Sequence, residues 1–282
     1  MKNAFIIFAL TLIMAVLPSC EASDVMDKPS ALHETRSISY EGVEVTVVID
    51  KPAIEEVDVL VLFHGTVVYD VNLIQAANNI LGRFRELTDR DDVMLVSVAY
   101  PGEHKLLGDN ITEAEAALLW VKHVAGTDLN VTIRKIFLAG HSQGGYLVTR
   151  LNTMHATDGV IANAPGPLNL VYRCYLEESG RIEAGAACNK LNAAYGTTAE
   201  NPEAYRARSL RRFTSGYQSD ILFVQGLDDS PIHMSSWPTF KQLVTACTDC
   251  AGREFLEIDG GSHGALFDSP VAGAAFNEFI NR

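Results

Sequence analysis

An apolar run rich in β-formers, Ile136-Phe-Leu-Ala139, passes into Gly140-His141-Ser142-Gln143-Gly144-Gly145, and a helical pattern follows with no spacer. The arrangement predicts a strand, a sharp turn with a serine at its tip, and a helix. Small residues are needed two before and two after that serine, because such a turn brings the strand and helix backbones into close approach. The turn holds the hydroxyl out of the sheet and aims the next backbone N–H at the same point. Gly-x-Ser-x-Gly is weak on its own. With 21 glycines among 282 residues, chance yields roughly 0.09 occurrences in such a chain. Its meaning depends on what surrounds it.

Strands and helices alternate on both sides. Arg36–Tyr40 and Val43–Ile49 read as a hairpin around Glu41-Gly42. Val57–Phe63, apolar but for Asp58, has the pattern of a parallel strand buried on both faces. Val71–Arg90 carries apolar residues at helical spacing, Asp92–Ala99 is the next strand, and Ile111 opens a second helix. After the Ser142–His155 helix come a strand at Gly159–Ala164, one at Ile221–Val224, a helix over Ser235–Ala246, a strand at Glu254–Ile258 and a closing helix over Val271–Ile280. The expectation is an α/β fold over residues 36–282, with a mostly parallel central sheet flanked by helices. Residues 168–218 break the rhythm. They are polar, hold two cysteines and include helix-like pieces such as Pro202–Phe213, as a cap inserted over a site would.

In a parallel sheet, ligands bind at the carboxyl ends of the strands. Here those ends carry His64-Gly65-Thr66, Gly140-His141-Ser142, Gly226-Leu-Asp228-Asp229 and Asp259-Gly-Gly-Ser-His263-Gly264. Serine, acid and histidine, each after its own strand and in that order, turn a coincidental turn motif into a candidate nucleophile with partners. Ser142 would attack, His263 would remove its proton, and one aspartate would orient the imidazole. His64, His141 and His233 compete for the base, and Asp228 competes with Asp229 for the acid. Asp259, close to the histidine loop's own strand, reads as a turn former.

On these residues the chain resembles the α/β-hydrolase superfamily, over roughly 40–282. The tail Ile221-Leu-Phe-Val-Gln-Gly-Leu-Asp-Asp229-Ser-Pro-Ile is similar to that of its serine-esterase and prolyl-oligopeptidase-like branch, with Pro and Ile exchanged in order and spacing. No propeller domain precedes it. The resemblance implies a serine hydrolase with no metal or organic cofactor. The motif's count of three after Gly226 selects Asp229, and the family's His-Gly makes His64 structural. The oxyanion hole would use the N–H of Gln143 and that of Thr66, with Val67 as the alternative. Carboxylic esters are the first substrate expectation, short peptides the second. A catalytically silent binding lipoprotein is the reading from another class. Within the insertion, Arg173, Arg181, Arg206, Arg208, Arg211 and Arg212 form a positive excess, fit either for an acidic ester or for a solvated face paired with Glu177, Glu178, Glu183, Glu200 and Glu203. Tyr172, Tyr175, Tyr195, Tyr205 and Trp237 fit either an acyl pocket or core.

The net charge of −13 argues against nucleic acid, whose phosphates need clustered Lys and Arg. The N-terminus reads as an address. Met1-Lys2-Asn3 and the apolar Ala4–Leu17 form a signal peptide over 1–19, too short for a comfortable span. Leu17-Pro-Ser-Cys20 resembles the lipobox of bacterial lipoproteins, in which Cys20 would be lipidated and residues 20–35 would be a tether. That predicts a cell-envelope lipoprotein, in the periplasm or on the outer membrane, held to the membrane by its lipid; simple secretion and an uncleaved anchor are the alternatives. Four cysteines then remain. Local disulfides, Cys174–Cys188 and Cys247–Cys250, are the simplest of three connectivities. A redox or zinc site at Cys247-Thr-Asp-Cys250 is the sharper alternative.

Overall fold

The computed structural model describes residues 30–282. The signal peptide and Cys20 lie outside the described residues. In chain order, β1 (Leu32–Tyr40), β2 (Val43–Lys51) and β3 (Glu56–Phe63) lead to α1 (Leu73–Leu87) and β4 (Val93–Ala99). Then follow α2 (Ile111–His123), its one-turn extension α3 (Ala125–Asp128), β5 (Thr132–His141), α4 (Gln143–Asn152) and β6 (Gly159–Asn163). The insertion contains α5 (Leu170–Glu178), α6 (Ala186–Tyr195) and α7 (Pro202–Arg206). The chain closes with β7 (Ile221–Gly226), α8 (Pro231–Thr245), β8 (Arg253–Ile258), α9 (Ala265–Asp268) and α10 (Pro270–Ile280).

The eight strands form one sheet in the order β1-β2-β4-β3-β5-β6-β7-β8. Only the β1–β2 and β2–β4 pairings are antiparallel. The alternation of a pleated strand distributes the core over both faces. From β3, Val57, Val59, Val61 and Phe63 pack with residues of α2, α4 and α8. Leu60 and Leu62 point the other way, into a layer shared with α1 and α10. At the ends where β3, β4 and β5 begin, Asp58 is buried beneath Arg90 and Arg134, and both arginines also pair with Asp92.

Several boundaries differ from the sequence reading. The expected tether over 20–35 loses its last residues to the sheet: β1 begins at Leu32, paired with Lys51. Its alternation of exposed and half-buried side chains suits an edge strand, although its polarity resembles a linker. The first long helix begins only at Leu73, after a 3-10 turn. α8 starts at Pro231, four residues before the expected Ser235, because proline is tolerated in a first helical turn and Ser230 caps it by accepting from His233 N–H. The helix expected over Pro202–Phe213 is instead α7 and a separate 3-10 turn, Leu210–Arg212.

Candidate active site

Ser142 occupies the turn between β5 and α4, with φ 57° and ψ −115°, a left-handed conformation that non-glycine residues rarely adopt. Its backbone over-determines that strain: its N–H donates to Asn163 O at 2.9 Å, and its carbonyl accepts from Tyr146 N–H and Gly166 N–H, both at 3.0 Å. The neighbouring glycines are required by contact. A Cβ on Gly144 would lie 2.5 Å from the Phe63 carbonyl carbon and 2.7 Å from His64 O; one on Gly140 would meet Gly145 N at 2.7 Å. Ser142, His263, Asp228, Asp229 and Thr66 line one cavity of about 740 Å³ at the carboxyl ends of the strands.

Asp229 follows β7 and faces the histidine loop after β8. Its Oδ2 lies 2.7 Å from His263 Nδ1, and its Oδ1 accepts from Ser230 N–H at 2.6 Å. Asp228, the competing acid, is exposed and has no side-chain partner among the described residues. Burial opposes the charge on Asp229, but hydrogen bonds from His263 and Gln225 and the nearby imidazoles outweigh it and hold the carboxyl well below the usual carboxylate range. A carboxylate accepting at Nδ1 keeps that hydrogen in place and leaves the Nε2 lone pair of His263 as the proton acceptor. Ser142 Oγ and His263 both face the cavity and are not hydrogen-bonded to each other.

The other imidazoles have partners of their own. His64 stacks on Tyr100 with 4.2 Å between ring centroids and shares Nδ1 with Gly65 O at 2.7 Å. His141 meets Asn163 Nδ2 at 3.0 Å and packs edge-on against His263. Burial pushes both His64 and His141 down to about 4, aided at His141 by the His263 and Arg83 charges. Sequence reasoning missed Gln225. This fully buried amide on β7 donates to Asp229 Oδ2 at 3.0 Å, and a single glutamine at a strand end carries no motif.

Gln143 is the first residue of α4, so its N–H lacks an intrahelical acceptor. Among the described residues, neither it nor the Thr66 N–H donates to another protein group. Thr66 lines the cavity and Val67 does not.

The insertion is a helical cap with its own small core of Leu170, Cys174, Cys188, Leu191 and Tyr205. Disulfides join Cys174 to Cys188 and Cys247 to Cys250. The second bond ties up both sulfurs that a zinc site would need as thiolates. Of the six cap arginines only Arg173 lines the cavity, with its Nε 3.0 Å from Glu177 Oε1. Arg206 pairs with Glu203 and Arg208 with Asp109. None of Tyr172, Tyr175, Tyr195, Tyr205 and Trp237 lines it; Tyr205 and Trp237 are buried core.

This is the α/β-hydrolase fold, and solved structures of that fold superpose over most of the chain. Est1E from Butyrivibrio proteoclasticus matches with TM-score 0.62 and 18% identity, over 88% of this chain and 97% of that one. A truncated carbohydrate esterase from gut microbiota matches with TM-score 0.65 and 15% identity, over 90% and 97%. An acylaminoacyl peptidase of Pyrococcus horikoshii matches with TM-score 0.60 and 15% identity, over 89% of this chain but 42% of that longer one. No sequence-family model and no curated protein matches the chain.

Proposed function

We propose that the protein is a serine hydrolase that cleaves carboxylic esters through an acyl-enzyme on Ser142. The observation that carries this reading is the 2.7 Å contact between Asp229 and His263 beside a serine held at positive φ in the same cavity. Ser142 Oγ attacks the ester carbonyl as His263 Nε2 takes its proton, and Asp229 stabilises the imidazolium. The developing oxyanion lies between the Gln143 and Thr66 N–H groups. Collapse expels the alcohol, which receives the proton from His263, and water then repeats the sequence to release the acid. Structural likeness to named esterases supports the ester as substrate. Likeness to an acylaminoacyl peptidase favours short peptides as the second reading.

Labelling with a fluorophosphonate tests the nucleophile: the folded protein takes the label and Ser142→Ala does not. Label that survives the substitution refutes the assignment. A panel of p-nitrophenyl esters and aminoacyl anilides separates the two substrates. For location, we propose a lipid anchor at Cys20; metabolic palmitate labelling should vanish in Cys20→Ala, and release of the unmutated protein into solution refutes the anchor.

A further inference from the structure

A second imidazole shares the Asp229 carboxylate, and its hydrogen bonding fixes which of its nitrogens faces the cavity. Gln225 Nε2 lies 3.0 Å from Asp229 Oδ2 and 2.8 Å from Gly226 O. Both of these are acceptors with no hydrogen to give, so the amide's NH₂ end must face them. Its Oε1 is then an acceptor, and it lies 2.9 Å from His233 Nε2. That nitrogen carries the hydrogen. Burial, opposed by Asp229 and helped by the His263 and Arg173 charges, pushes His233 down to about 4, so the ring is neutral near pH 7. Its Nδ1 therefore holds a lone pair.

That lone pair has no partner among the described residues, and Nδ1 is not among the buried polar atoms sealed without one. The ring lines the cavity with Ser142 and His263. A Cβ on Gly166 would approach Nδ1 and Cε1 to 3.4 Å, so glycine there leaves the edge of the ring clear. The Gly166 N–H is bonded to the Ser142 carbonyl, which ties this edge to the nucleophile's own backbone. Trp237 stacks behind the ring and His263 packs edge-on against it, limiting its rotation.

Resting on the hydrolase reading above, we propose that His233 is a specificity-determining residue whose Nδ1 accepts a hydrogen bond from the substrate. The preferred substrates are esters that carry a hydroxyl or amide N–H donor close to the scissile carbonyl. An acceptor fixed through Gln225 by the charge of Asp229 cannot turn round to donate, so it rewards donors alone.

Two substrate pairs test this. p-Nitrophenyl lactate against p-nitrophenyl propionate places the donor on the acyl side, and 2-hydroxyethyl butyrate against propyl butyrate places it on the alcohol side. One neutral hydrogen bond corresponds to about a tenfold preference in kcat/KM for the donor-bearing member of one pair. His233→Phe keeps a flat ring but no acceptor and should reduce that ratio to near one. His233→Asn, which retains an acceptor near the Nδ1 position, should keep most of it. A general loss through Gln225 and Asp229 lowers both members equally and cancels. Turnover by the unmutated protein with a ratio near one in both pairs overturns the proposal, as does a preference that persists in His233→Phe. Absence of Ser142-dependent turnover on all four esters overturns the hydrolase reading and this inference with it.

Discussion

Gly144→Ala adds one methyl group where the start of α4 crosses the end of β3. That methyl would lie 2.5 Å from the Phe63 carbonyl carbon, whereas non-bonded carbons prefer roughly 3.5 Å or more. Relief therefore requires a displacement of about 1 Å. β3 is central in the sheet, paired with β4 and β5, so the yielding element is the first turn of α4. That turn carries Ser142 and the Gln143 N–H. Overpacking of this kind costs about 1–3 kcal/mol of stability, and a 1 Å misplacement of reacting groups costs about a hundredfold in rate. Gly82→Ala is the matched control. Gly82 lies inside α1, where an added Cβ meets nothing within 4 Å, and alanine there should stabilise by about 0.4–1 kcal/mol. Urea unfolding of both variants, with kcat/KM on a p-nitrophenyl ester, provides the measurement. Full activity and unchanged stability in Gly144→Ala would refute the argument from close approach.

Asp229→Ala removes the acceptor for both His263 and Gln225 and should lower kcat by about 10⁴-fold, whereas Asp228→Ala should stay within a few-fold; the reverse order reassigns the acid. Stability should fall as pH drops from 6.5 towards 4. His64, His141 and His233 have folded values near 4, against 6.5 ordinarily, so in this window the unfolded chain binds protons that the folded one refuses. Each such imidazole contributes a slope of up to about 1.4 kcal/mol per pH unit. Below pH 4 this contribution flattens, while protonation of Asp229, whose folded value is depressed, continues the loss at lower pH. Urea midpoints between pH 7 and 4 measure the slope, and a flat profile contradicts it.

The parts of the site legible in the sequence were those imposed by backbone geometry. Glycines at 140 and 144 are demanded by contact, and unbroken apolar runs such as Val59–Phe63 mark strands covered on both faces. Chemistry carried by unremarkable residue types was hidden. Nothing around Gln225 distinguishes an amide that bridges an aspartate to a second imidazole from any other buried glutamine. His233 stood only as a rival for the base, because the sequence does not show that α8 begins at Pro231 and turns the ring towards the cavity. β1 was half hidden for the opposite reason: an edge strand with polar outward positions has the composition of a linker. The cap arginines could not be sorted from the sequence, since only the fold places Arg173 at the cavity, Arg206 on the exposed face beside Glu203, and Arg208 half-buried between Asp109 and Tyr195.

The pairing of β1 also decides which way the molecule faces. β1 runs in the same direction as β3, so Leu32 lies at the pole where the parallel strands begin and the Glu41-Gly42 turn at the pole where they end. Chain arriving from upstream of Leu32 thus joins the pole of the Asp58 ion cluster, and the mouth of the cavity opens at the opposite pole. The point where the upstream chain meets the sheet and the mouth of the cavity thus lie at opposite ends of the strands. Separating the two keeps the approach to Ser142 clear of the place where the preceding chain enters the domain.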